Sequence, residues 1–576
     1  MNPIRRCRPA RLLTPLLLAA ALLGCVSAPP RSTLPLLPIG HVQGAALVSP
    51  LLGQQVRVQG VITADFRAGL GLLTLQDAGD GDPATADALF LDGAPETLKV
   101  GDSIEVLGEV LELDSGRDAR VTAIRVARSQ PITPRPMPVP QPLDALPTDT
   151  LGWERLEAMR VSVPVPLTLT GSQNAARFGE WQVSFDGRLW TPTEIALPGQ
   201  AANDQARRNQ ARTLWLDDGH TGTAADTAMS RDIPRTGSVL QQVEGILDQR
   251  HGRYRLQLTA PPQITAAPRP AAPARMGELR IAAFNLENLF NGDGQGGGFP
   301  TARGAKTHAD YLAQRARHVA ALAALDADVI TLMELENDGH GPNSSESQLL
   351  AALNAAHAGD WRAAAMPANA SRDVIRVGIF YRASKLQQVG ASEVFDAAAF
   401  ASLNRPALAA RFRAGDGPAF VVIANHLKSK GCRDAKGADG DQRDGQACWN
   451  ATRLASVQQL DRWVSARFAR MPVLMLGDFN AYAMEDPPRW LREAGWRDAF
   501  AEAGIKQPYS YVYDGQAGRL DHAFLNAAMA TRLQGAAEWH INADEPDQPH
   551  PADVAPAPWR SSDHDPLVVD LRLRSR

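Results

Sequence analysis

Apolar, strand-like segments recur through residues 277–576, and nearly every one ends in a polar residue suited to metal or phosphate chemistry. The segments read "LRIAAFN", "DVITLME", "RVGIFYR", "AFVVIANH", "VLMLGDFN", "LDHAFLN" and "PLVVDLRL". A single strand that ends in Asp or Asn is ordinary, because both residues favour turns. Six strand ends that supply Asn, Glu, His and Asp exceed what turn chemistry requires. The pattern predicts a site where strand ends meet on one face of a sheet.

Helical patterns separate these strands. The stretches "DYLAQRARHVAALAALDA" and "NATRLASVQQLDRWVSARF" place apolar residues, among them Leu322 and Leu460, at helical spacing. Strands that alternate with helices predict an α/β or α+β domain of catalytic type over residues 277–576.

The residues at the strand ends favour hydrolysis of a phosphodiester. They are Asn285, Glu287, Glu334, His426, Asp478, Asn480, Asp521, Asp563 and His564. A hard divalent cation prefers oxygen ligands, which Asn285, Glu334 and Asp563 provide. Such a cation neutralises phosphate charge, and a histidine paired with a carboxylate, as His564 with Asp521, accepts a proton from the attacking water. The sequence contains neither a Ser or Cys nucleophile elbow nor a Walker-type phosphate loop.

A set of motifs in this region resembles the endonuclease/exonuclease/phosphatase superfamily. The motifs, in chain order, are "FNLENLF", "LMELEND", "VGIFYR", "ANHLKSK", "GDFN", "LDHAF" and "SDHDP". The family includes pancreatic-type DNases, abasic-site endonucleases, sphingomyelinases and inositol-polyphosphate phosphatases. The resemblance implies an α+β fold over residues 277–576, a four-layer α/β/β/α sandwich with two sheets between helices.

The resemblance also implies a role for each strand-end residue. Metal ligation falls to Asn285, Glu287, Glu334 and Asp563, and catalysis to His426, Asp478, Asn480, Asp521 and His564. His426 would contact the scissile phosphate, and Asp478 with Asn480 would orient water or the leaving group. Accounts of the family differ on whether Asp478 or His564 activates water, so these roles are assigned jointly. Glu336 is the alternative to Glu334, which is favoured because it directly follows the apolar run.

One residue departs from the family pattern, and one insertion follows the site. His522 stands where many members carry an aromatic residue or Arg. The insertion "KSKGCRDAKGADGDQRDGQACW", residues 428–449, would overhang the site. Its cations Lys428, Lys430 and Arg433 are suited to phosphate, and Lys428 is the predicted substrate contact. Asp439, Asp441 and Asp444 are candidates for a structural Ca²⁺, although no bidentate Glu follows at the spacing of a calcium loop.

Two further pairs of residues border this insertion. Asn450 and Arg453 open the next helix, and they either contact the substrate or buttress the loop. Cys432 and Cys448 are the pair that remains after Cys7 and Cys25 are assigned to the N-terminal region. In an oxidising compartment this pair is predicted to form a disulfide, which would stabilise the folded loop by about 3 kcal/mol because it lowers the entropy of the unfolded chain.

The N-terminus predicts export. Residues 1–24 carry arginines before the apolar run "LLTPLLLAAALLGC", as in a signal peptide. Leu22 to Cys25 resembles a bacterial lipobox, which would make Cys25 a lipid anchor and residues 25–37 a tether; the alternative is an ordinary signal peptide with an incidental cysteine. Val26 favours the outer membrane or cell surface over the inner membrane. Without residues 1–24 the net charge is −8, from 55 basic and 63 acidic residues. Binding to a polyanion would therefore require a local patch of basic residues.

Two small β-rich segments precede the C-terminal region, and both are predicted to be all-β, OB-like domains. Residues 38–130 contain short alternating strands with glycine turns, in an order that looks like an OB-fold. Residues 148–266 follow the linker "SQPITPRPMPVPQPLDALP" and are again strand-like. Within them, "ARRNQAR", with Arg207, Arg208 and Arg212, is interpreted as a solvated loop rather than a phosphate contact.

These features predict a surface-anchored, Mg²⁺-dependent phosphodiesterase that cuts extracellular DNA as an endonuclease, with RNA as a further substrate. Mn²⁺ is the alternative catalytic ion. The expected partners are the nucleic acid and, through the lipid, a membrane; no protein partner is predicted. One alternative is a phospholipid phosphodiesterase of the sphingomyelinase kind, which has the same catalytic residues. The other is a nucleic-acid-binding surface protein with a decayed site, against which each expected catalytic position holds a competent residue.

Overall fold

The computed structural model describes residues 34–220, 227–357, 359–367, 371–547 and 557–574. The predicted export signal, the lipidation site Cys25 and most of the predicted tether lie outside these residues. Within the described ranges, no helix combines the length and the apolar character that crossing a membrane requires.

The chain begins with a small closed β-barrel. Its elements are α1 (Ile39–Gln43), β1 (Gln55–Phe66), β2 (Leu72–Gln76), β3 (Ala88–Asp92), β4 (Ser103–Gly116) and β5 (Ala119–Pro131). The strands are joined in the order β1-β2-β3-β5-β4, and β1 closes the barrel by pairing with β4. Apolar residues at alternate positions, such as Val56 and Val58 of β1, fill the interior. The likeness of this barrel to an OB-fold stays a prediction.

A nine-stranded sheet follows the barrel. The elements of this region are β6 (Gln141–Pro142), α2 (Thr150–Glu154), β7 (Arg160–Val163), β8 (Leu167–Gly171), α3 (Ala175–Phe178), β9 (Trp181–Ser184), β10 (Leu189–Trp190), α4 (Pro192–Ile195), α5 (Gln200–Gln210), β11 (Thr213–Asp217), α6 (Ala228–Arg231), β12 (Val239–Gln241), β13 (Val243–Arg250), β14 (Arg253–Leu258) and β15 (Gln263–Thr265). The strand order of the sheet is β15-β12-β8-β9-β11-β14-β13-β7-β6.

The prediction of an all-β second domain is wrong, because this region also contains helices. The longest is α5, whose sequence "QAANDQARRNQ" is rich in Gln, Ala and Arg, residues of good helix propensity. It buries Ala202 and Asn209. The three arginines assigned to a loop lie on or beside this helix: Arg207, Arg208 and Arg212.

The barrel and the nine-stranded sheet share one hydrophobic cluster. Phe66 and Phe90 of the barrel lie in it together with Val161, Trp181 and Leu247 of the sheet. The proline-rich connection joins the same body, because its strand β6 pairs with β7. Apolar surface buried between the two parts stabilises both. We call the described residues of 34–266 the accessory unit.

The C-terminal domain contains two large sheets, the helices that cover them and the small hairpin β26–β27. Its elements are β16 (Leu279–Leu289), α7 (His308–Ala324), β17 (Val329–Glu336), α8 (Ser345–His357), β18 (Trp361–Ala363), β19 (Ile375–Arg382), β20 (Gln387–Gln388), β21 (Glu393–Phe395), a 3₁₀ helix (Ala398–Ala401), β22 (Arg405–Arg413), β23 (Phe420–His426), a second 3₁₀ helix (Gly437–Asp439), α9 (Asn450–Phe468), β24 (Val473–Asp478), α10 (Asp486–Glu493), β25 (Arg497–Asp498), α11 (Ala499–Glu502), β26 (Tyr511–Tyr513), β27 (Gln516–Gly518), β28 (Asp521–Leu525), α12 (Ala527–Ala530), β29 (Leu533–Glu538) and β30 (Leu567–Leu571).

The two sheets pack face to face between layers of helices. One has the strand order β18-β19-β17-β16-β30-β29, and the other β20-β22-β23-β24-β28-β25, with β21 paired to β22. Apolar residues of both sheets, such as Ile281 and Leu474, form the central cluster. Tyr311 and Leu322 of α7 cover the outer face of the first sheet, and the apolar side of α9 covers the second. The arrangement is the α/β/β/α layering expected from the sequence.

Strand direction brings the predicted site residues to one edge. The central strands of each sheet form a parallel pair, β16 with β17 and β23 with β24, so their carboxyl ends lie side by side. The antiparallel neighbours β30 and β28 begin at that same edge, with Asp521 opposite Asp478. Residues near the carboxyl ends of β16, β17, β23 and β24 therefore lie close to the first residue of β28 and to the residues just before β30.

The accessory unit and the C-terminal domain are joined by a shared sheet. Strand β10 of the accessory unit pairs in parallel with β27, which pairs with β26, so a small sheet crosses the interface. Arg188 forms an ion pair with the buried Asp544 at 2.9 Å. The Tyr509 hydroxyl donates to Asp544 at 2.7 Å, and Arg188 lies 4.5 Å from the Tyr509 ring centroid. The two parts thus form one connected structure.

Replacing Asp544 by Ala is expected to lower the free energy of unfolding by about 3 kcal/mol, because the charge of Arg188 then lacks its partner. Urea unfolding followed by tryptophan fluorescence measures the change. The matched control is Asp204→Ala, which removes an exposed carboxylate from α5 and should cost less than about 0.5 kcal/mol. Equal losses from the two substitutions would contradict the assigned role of Asp544.

The contribution of Asp544 should also depend on pH. Burial acts to raise the pKa of Asp544, but the charge of Arg188 and hydrogen bonds from Thr236 and Arg188 hold it below its ordinary value of 3.8. Such a carboxylate contributes stability that is complete above its unfolded-state pKa and is lost as pH falls through its folded-state pKa. The difference in unfolding free energy between the protein and Asp544→Asn should therefore be constant above about pH 5 and shrink below about pH 4. A difference that grows on acidification would contradict this account.

Candidate active site

Strained backbone turns the strand ends toward one another. The register of β16 against β17 shifts between Asn285 and Leu289, and that of β17 against β19 shifts between Leu332 and Leu335. Four non-glycine residues at these ends have positive φ: Glu287 at 48°, Asn288 at 54°, Glu334 at 63° and Asn480 at 48°. Each such conformation costs about 1–3 kcal/mol and persists where surrounding structure enforces it, often at functional sites.

Four predicted residues from the two sheets form the centre of the site. The Asn285 amide Nδ2 donates to Asp478 Oδ2 at 3.3 Å. His426 Nε2 lies 3.4 Å from Asp478 Oδ2 and 4.0 Å from Glu334 Oε1. The backbone N–H of Asn288 donates to Glu334 Oε2 at 2.9 Å and fixes this carboxylate. The structure therefore brings together one residue from each of the strands β16, β17, β23 and β24.

Asn480 fixes Asp478 from the loop that follows β24. Its backbone N–H donates to Asp478 Oδ1 at 2.7 Å, and its Nδ2 donates to Asp478 Oδ2 at 3.2 Å. The same amide donates to the Leu427 carbonyl at 3.1 Å, which connects the loop after β24 to the loop after β23. Asp478 is thus held at both oxygens, and its orientation is set before any substrate binds.

Asp521 and His564 form the predicted carboxylate–imidazole pair. His564 Nδ1 lies 2.7 Å from Asp521 Oδ2, and both side chains are buried. The Ser510 hydroxyl donates to the same Asp521 oxygen at 2.7 Å. The Tyr511 ring lies 4.7 Å from the His564 ring and covers it. With Nδ1 on Asp521, the ring nitrogen left for substrate or water is Nε2.

Burial and neighbouring charges shift the protonation of these groups in different directions. Burial raises the pKa of Asp478 to about 7. Burial and the charge of Arg405 hold the pKa of His426 well below its ordinary range. For His564 burial acts in the same direction, but Asp521, Asp563 and Asp478 together raise its pKa well above its ordinary range. The two imidazoles of the site therefore differ: the pKa of His426 is lowered, which favours its neutral form, whereas the pKa of His564 is raised by the carboxylates around it.

The oxygen donors of the site fit a divalent cation. Burial and the charge of the neighbouring Asp563 raise the pKa of Glu334, so the two carboxylates destabilise one another unless a cation lies near them. Across the described part of the chain, no three His, Cys, Asp or Glu side chains converge on one point. Asn285, Glu334 and Asp563 are the residues that would hold the ion.

Glu287, a predicted metal ligand, is bound to another group. Its carboxylate pairs with Arg560 at 2.7 and 3.2 Å, although it lies close enough to Asp563 for the two charges to interact. Burial, with the charge of Asp563, raises the pKa of Glu287 to about 7. The structure places Glu287 at the rim, beside the centre formed by Glu334 and His426.

Two residues predicted to bind substrate support the insertion instead. Arg453 is 0% exposed, and its guanidinium donates to the carbonyls of Lys428, Cys448 and Gln446. Asn450 donates to Asp486 at 2.7 Å. Both side chains therefore buttress the insertion, which is the alternative to substrate contact that the sequence left open.

Lys428 lies near Arg405 and Arg303, and its contact with substrate stays a prediction. Its amine lies 5.0 Å from the Trp449 ring centroid, and burial, with the nearby charges of Arg405 and Arg303, lowers its pKa. Arg405 lies 3.4 Å from His426 Nε2 and pairs with Asp373 at 3.0 Å. Arg303 also pairs with Asp373 at 4.0 Å, so three cations and one carboxylate leave a net positive charge next to His426.

The insertion is tied by a disulfide between Cys432 and Cys448, as the sequence predicted. Its three aspartates serve local turns. Asp439 accepts hydrogen bonds from the Thr452 backbone and hydroxyl, and Asp441 and Asp444 accept from backbone N–H groups two residues on. They do not form a common site, so the predicted structural Ca²⁺ lacks a ligand set here.

Two residues near the predicted set lie outside the centre. Glu336, the alternative to Glu334, accepts from the Asn291 backbone at 3.0 Å, away from His426. His522 is fully buried, with Nε2 2.8 Å from the Ala481 carbonyl and its ring against Phe479. Burial lowers the pKa of His522 to about 3, so it acts as neutral support for the loop after β24.

Sequence reasoning missed several residues that hold the site. Ser510 orients Asp521, Arg405 borders His426, and Arg560 binds Glu287. Asn542 donates to the His564 carbonyl at 2.6 Å and accepts from the Ser561 backbone at 2.8 Å, which fixes the "SSDHD" turn. These residues lie outside the strand-end motifs, and only the fold brings them to the site.

No curated protein matches the chain. Among solved structures, it is similar to a humanized D. rerio TDP2 at 17% identity over 50% of this chain and 97% of that chain, with a TM-score of 0.33. The human Nocturnin catalytic domain is 17% identical over 51% of this chain and 93% of that chain, with a TM-score of 0.34. A mannosyl-6-phosphatase from Bacteroides thetaiotaomicron is 16% identical over 51% of this chain and 99% of that chain, with a TM-score of 0.34.

The sequence profile of the Endonuclease/Exonuclease/phosphatase family matches residues 282–564. This range contains every strand end that forms the site, from Asn285 to His564. The C-terminal domain therefore matches the endonuclease/exonuclease/phosphatase family, and this match suggests a hydrolase that acts on phosphodiesters or phosphate esters.

Proposed function

We propose that the protein is a divalent-metal-dependent phosphodiesterase that hydrolyses nucleic acid, cutting DNA as an endonuclease and RNA as well. The observation that carries the proposal is the buried Asp521–His564 pair, which lies in one site with Glu334, Asp478 and His426. This set contains a proton-transfer pair, oxygen donors for a cation and a neutral imidazole, all of which hydrolysis of a phosphodiester by water uses.

Each side chain has a task in this reaction. When bound near Asn285, Glu334 and Asp563, Mg²⁺ or Mn²⁺ would neutralise phosphate charge. Acceptance of the proton of the attacking water is assigned jointly to Asp478 and to the Asp521–His564 pair. Asn480 holds Asp478 in position through two hydrogen bonds. Arg405, which donates to His426 Nε2 at 3.4 Å, is suited to donate a hydrogen bond to a phosphate oxygen beside His426.

The location of the protein is part of the proposal. The signal-like residues 1–24 and the lipobox at Cys25 support export and attachment to the outer membrane or cell surface. The disulfide between Cys432 and Cys448 is consistent with an oxidising compartment. The accessory barrel supports the expectation of an OB-like module, since a small closed β-barrel is the architecture that such modules have.

A substrate panel tests the proposal. Residues 26–576 would be incubated with supercoiled plasmid, RNA, sphingomyelin and a sugar monophosphate, each with Mg²⁺ and with chelator. We expect Mg²⁺-dependent nicking of the plasmid and hydrolysis of RNA. Cleavage of sphingomyelin or of the sugar phosphate without any action on nucleic acid would overturn the substrate and keep the site.

Replacing His564 by Ala should lower kcat/KM by about 100- to 10,000-fold, because the proton-transfer pair is lost. Plasmid nicking measures activity, and thermal unfolding measures stability, which should change little. The control His251→Ala removes an exposed histidine of the accessory unit and should leave activity unchanged. Parallel loss of folding and activity in His564→Ala would identify His564 as a structural residue.

Removing the metal should abolish activity, and adding Mg²⁺ should restore it. Glu334→Gln is expected to raise the Mg²⁺ concentration for half-maximal activity at least about tenfold, since a charged ligand becomes neutral. Glu336→Gln, two residues along the same strand, is the matched control because Glu336 contacts the Asn291 backbone instead. The same shift in both variants would show that Glu334 has no special relation to the metal.

A further inference from the structure

A cleft of 630 Å³ connects the candidate active site with the accessory unit. Asp563 and Glu287 line it at the active-site end. Tyr511 and Tyr513 of the β26–β27 hairpin line one wall, and Trp215 and Arg253 of the accessory unit line another. The volume lies in the range of sites that hold small molecules or parts of polymers. Anything that extends from the reacting phosphate in this direction touches both parts of the chain.

Tyr513 is unusual in its exposure. Its side chain is 66% exposed, and it is the one aromatic residue among those described that counts as exposed. The hairpin that carries it is held from both sides: β10 of the accessory unit pairs with β27, and Ser510, which precedes β26, donates to Asp521. An aromatic ring presented on a fixed support in a cleft is suited to stacking against a planar group.

Trp215 and Arg253 present a second flat surface. The Arg253 guanidinium lies over the Trp215 ring at 4.5 Å from its centroid, and the indole is only 8% exposed. Arg253 itself is exposed and forms no ion pair with any described residue. Because its inner face rests on the indole, its outer face is free to stack on a nucleobase and its charge is free for a phosphate.

The other charges of the cleft are largely paired. Arg560 pairs with Glu287 and Asp547, and Glu545 pairs with Arg235 and Arg269. Asp514 on the hairpin and Asp563 at the active site are the carboxylates of the lining without such partners among the described residues. Arg560 is shared by Glu287 and Asp547, so the lining keeps an excess of acidic groups, and Arg253 is its one cation without an ion pair among the described residues. A phosphate would therefore bind beside Arg253, whereas acyl chains would find no continuous apolar lining.

We propose that this cleft binds unpaired nucleotides next to the scissile phosphate, with bases stacked on Tyr513 and on the Trp215-backed Arg253. This inference rests on the proposed hydrolysis of nucleic acid, and it specifies which form of nucleic acid the protein prefers as substrate. Stacking requires bases that are not paired in a duplex, so single-stranded nucleic acid is the favoured substrate. The accessory unit then takes part in substrate binding and is more than a spacer.

The test compares kcat/KM for a single-stranded oligonucleotide with that for a strand of equal length whose residues flanking the cut are abasic. Both strands have the same phosphates, so their ratio isolates the contribution of the bases. We expect a ratio of about ten or more for the unmodified protein, a smaller ratio for Tyr513→Ala and for Arg253→Ala alone, and a ratio near one when both substitutions are combined. Arg253→Lys keeps the charge but loses the flat guanidinium, and it should behave like Arg253→Ala. Tyr513→Phe keeps the ring and should keep the ratio.

Arg208→Ala is the control, because Arg208 is an exposed arginine of the accessory unit that does not line the cleft. It should leave the ratio unchanged. Equal cleavage of base-containing and abasic strands by the unmodified protein would overturn the inference and leave the proposed function intact. Hydrolysis of bis(4-nitrophenyl) phosphate without cleavage of any oligonucleotide would overturn both the inference and the nucleic-acid substrate, while the phosphodiesterase chemistry would stand.

Discussion

The face-to-face packing of the two sheets is the constraint on which the site depends. Apolar residues such as Ile281 and Leu474 fill the space between the sheets and fix their relative position. Each sheet has a central parallel pair of strands, and the carboxyl ends of both pairs lie at the same edge. No single sheet holds the whole set, since Asn285 and Glu334 come from one and His426 and Asp478 from the other. Substitutions in the central cluster would therefore alter activity through distances at the edge.

The second constraint is the interface with the accessory unit. A strand of that unit continues the small sheet that carries Tyr511, and Tyr511 covers the His564 ring. Asp544 forms an ion pair with Arg188 and accepts a hydrogen bond from the Tyr509 hydroxyl. Asp565, the neighbour of His564, accepts a hydrogen bond from the Asn542 backbone at 2.8 Å. The turn that carries His564 is thus supported by contacts that reach the accessory unit. This explains why the cleft has walls from both parts of the chain.

The sequence predicted the members of the site better than their supports. Residues such as Asp478 directly follow an apolar run, and this pattern marks a strand end without any knowledge of the fold. The choice between Glu334 and Glu336 depends on a register shift and a positive φ, which no residue pattern records. The sequence left open whether Arg453 contacts substrate or buttresses the loop, because its position near the insertion does not reveal its burial. Helix α5 was missed because its sequence is almost entirely polar, and the pairing of β10 with β27 joins residues more than 300 positions apart.

The central claim is that residues from both sheets surround one metal and one phosphate. A crystal structure with Mn²⁺ that uses anomalous scattering tests it most directly, because the signal locates the ion without reference to activity. The account predicts one strong peak bounded by Asn285, Glu334 and Asp563, on the side that faces His426. A well-ordered site with no peak there, and Mn²⁺ bound elsewhere in the protein, would contradict it.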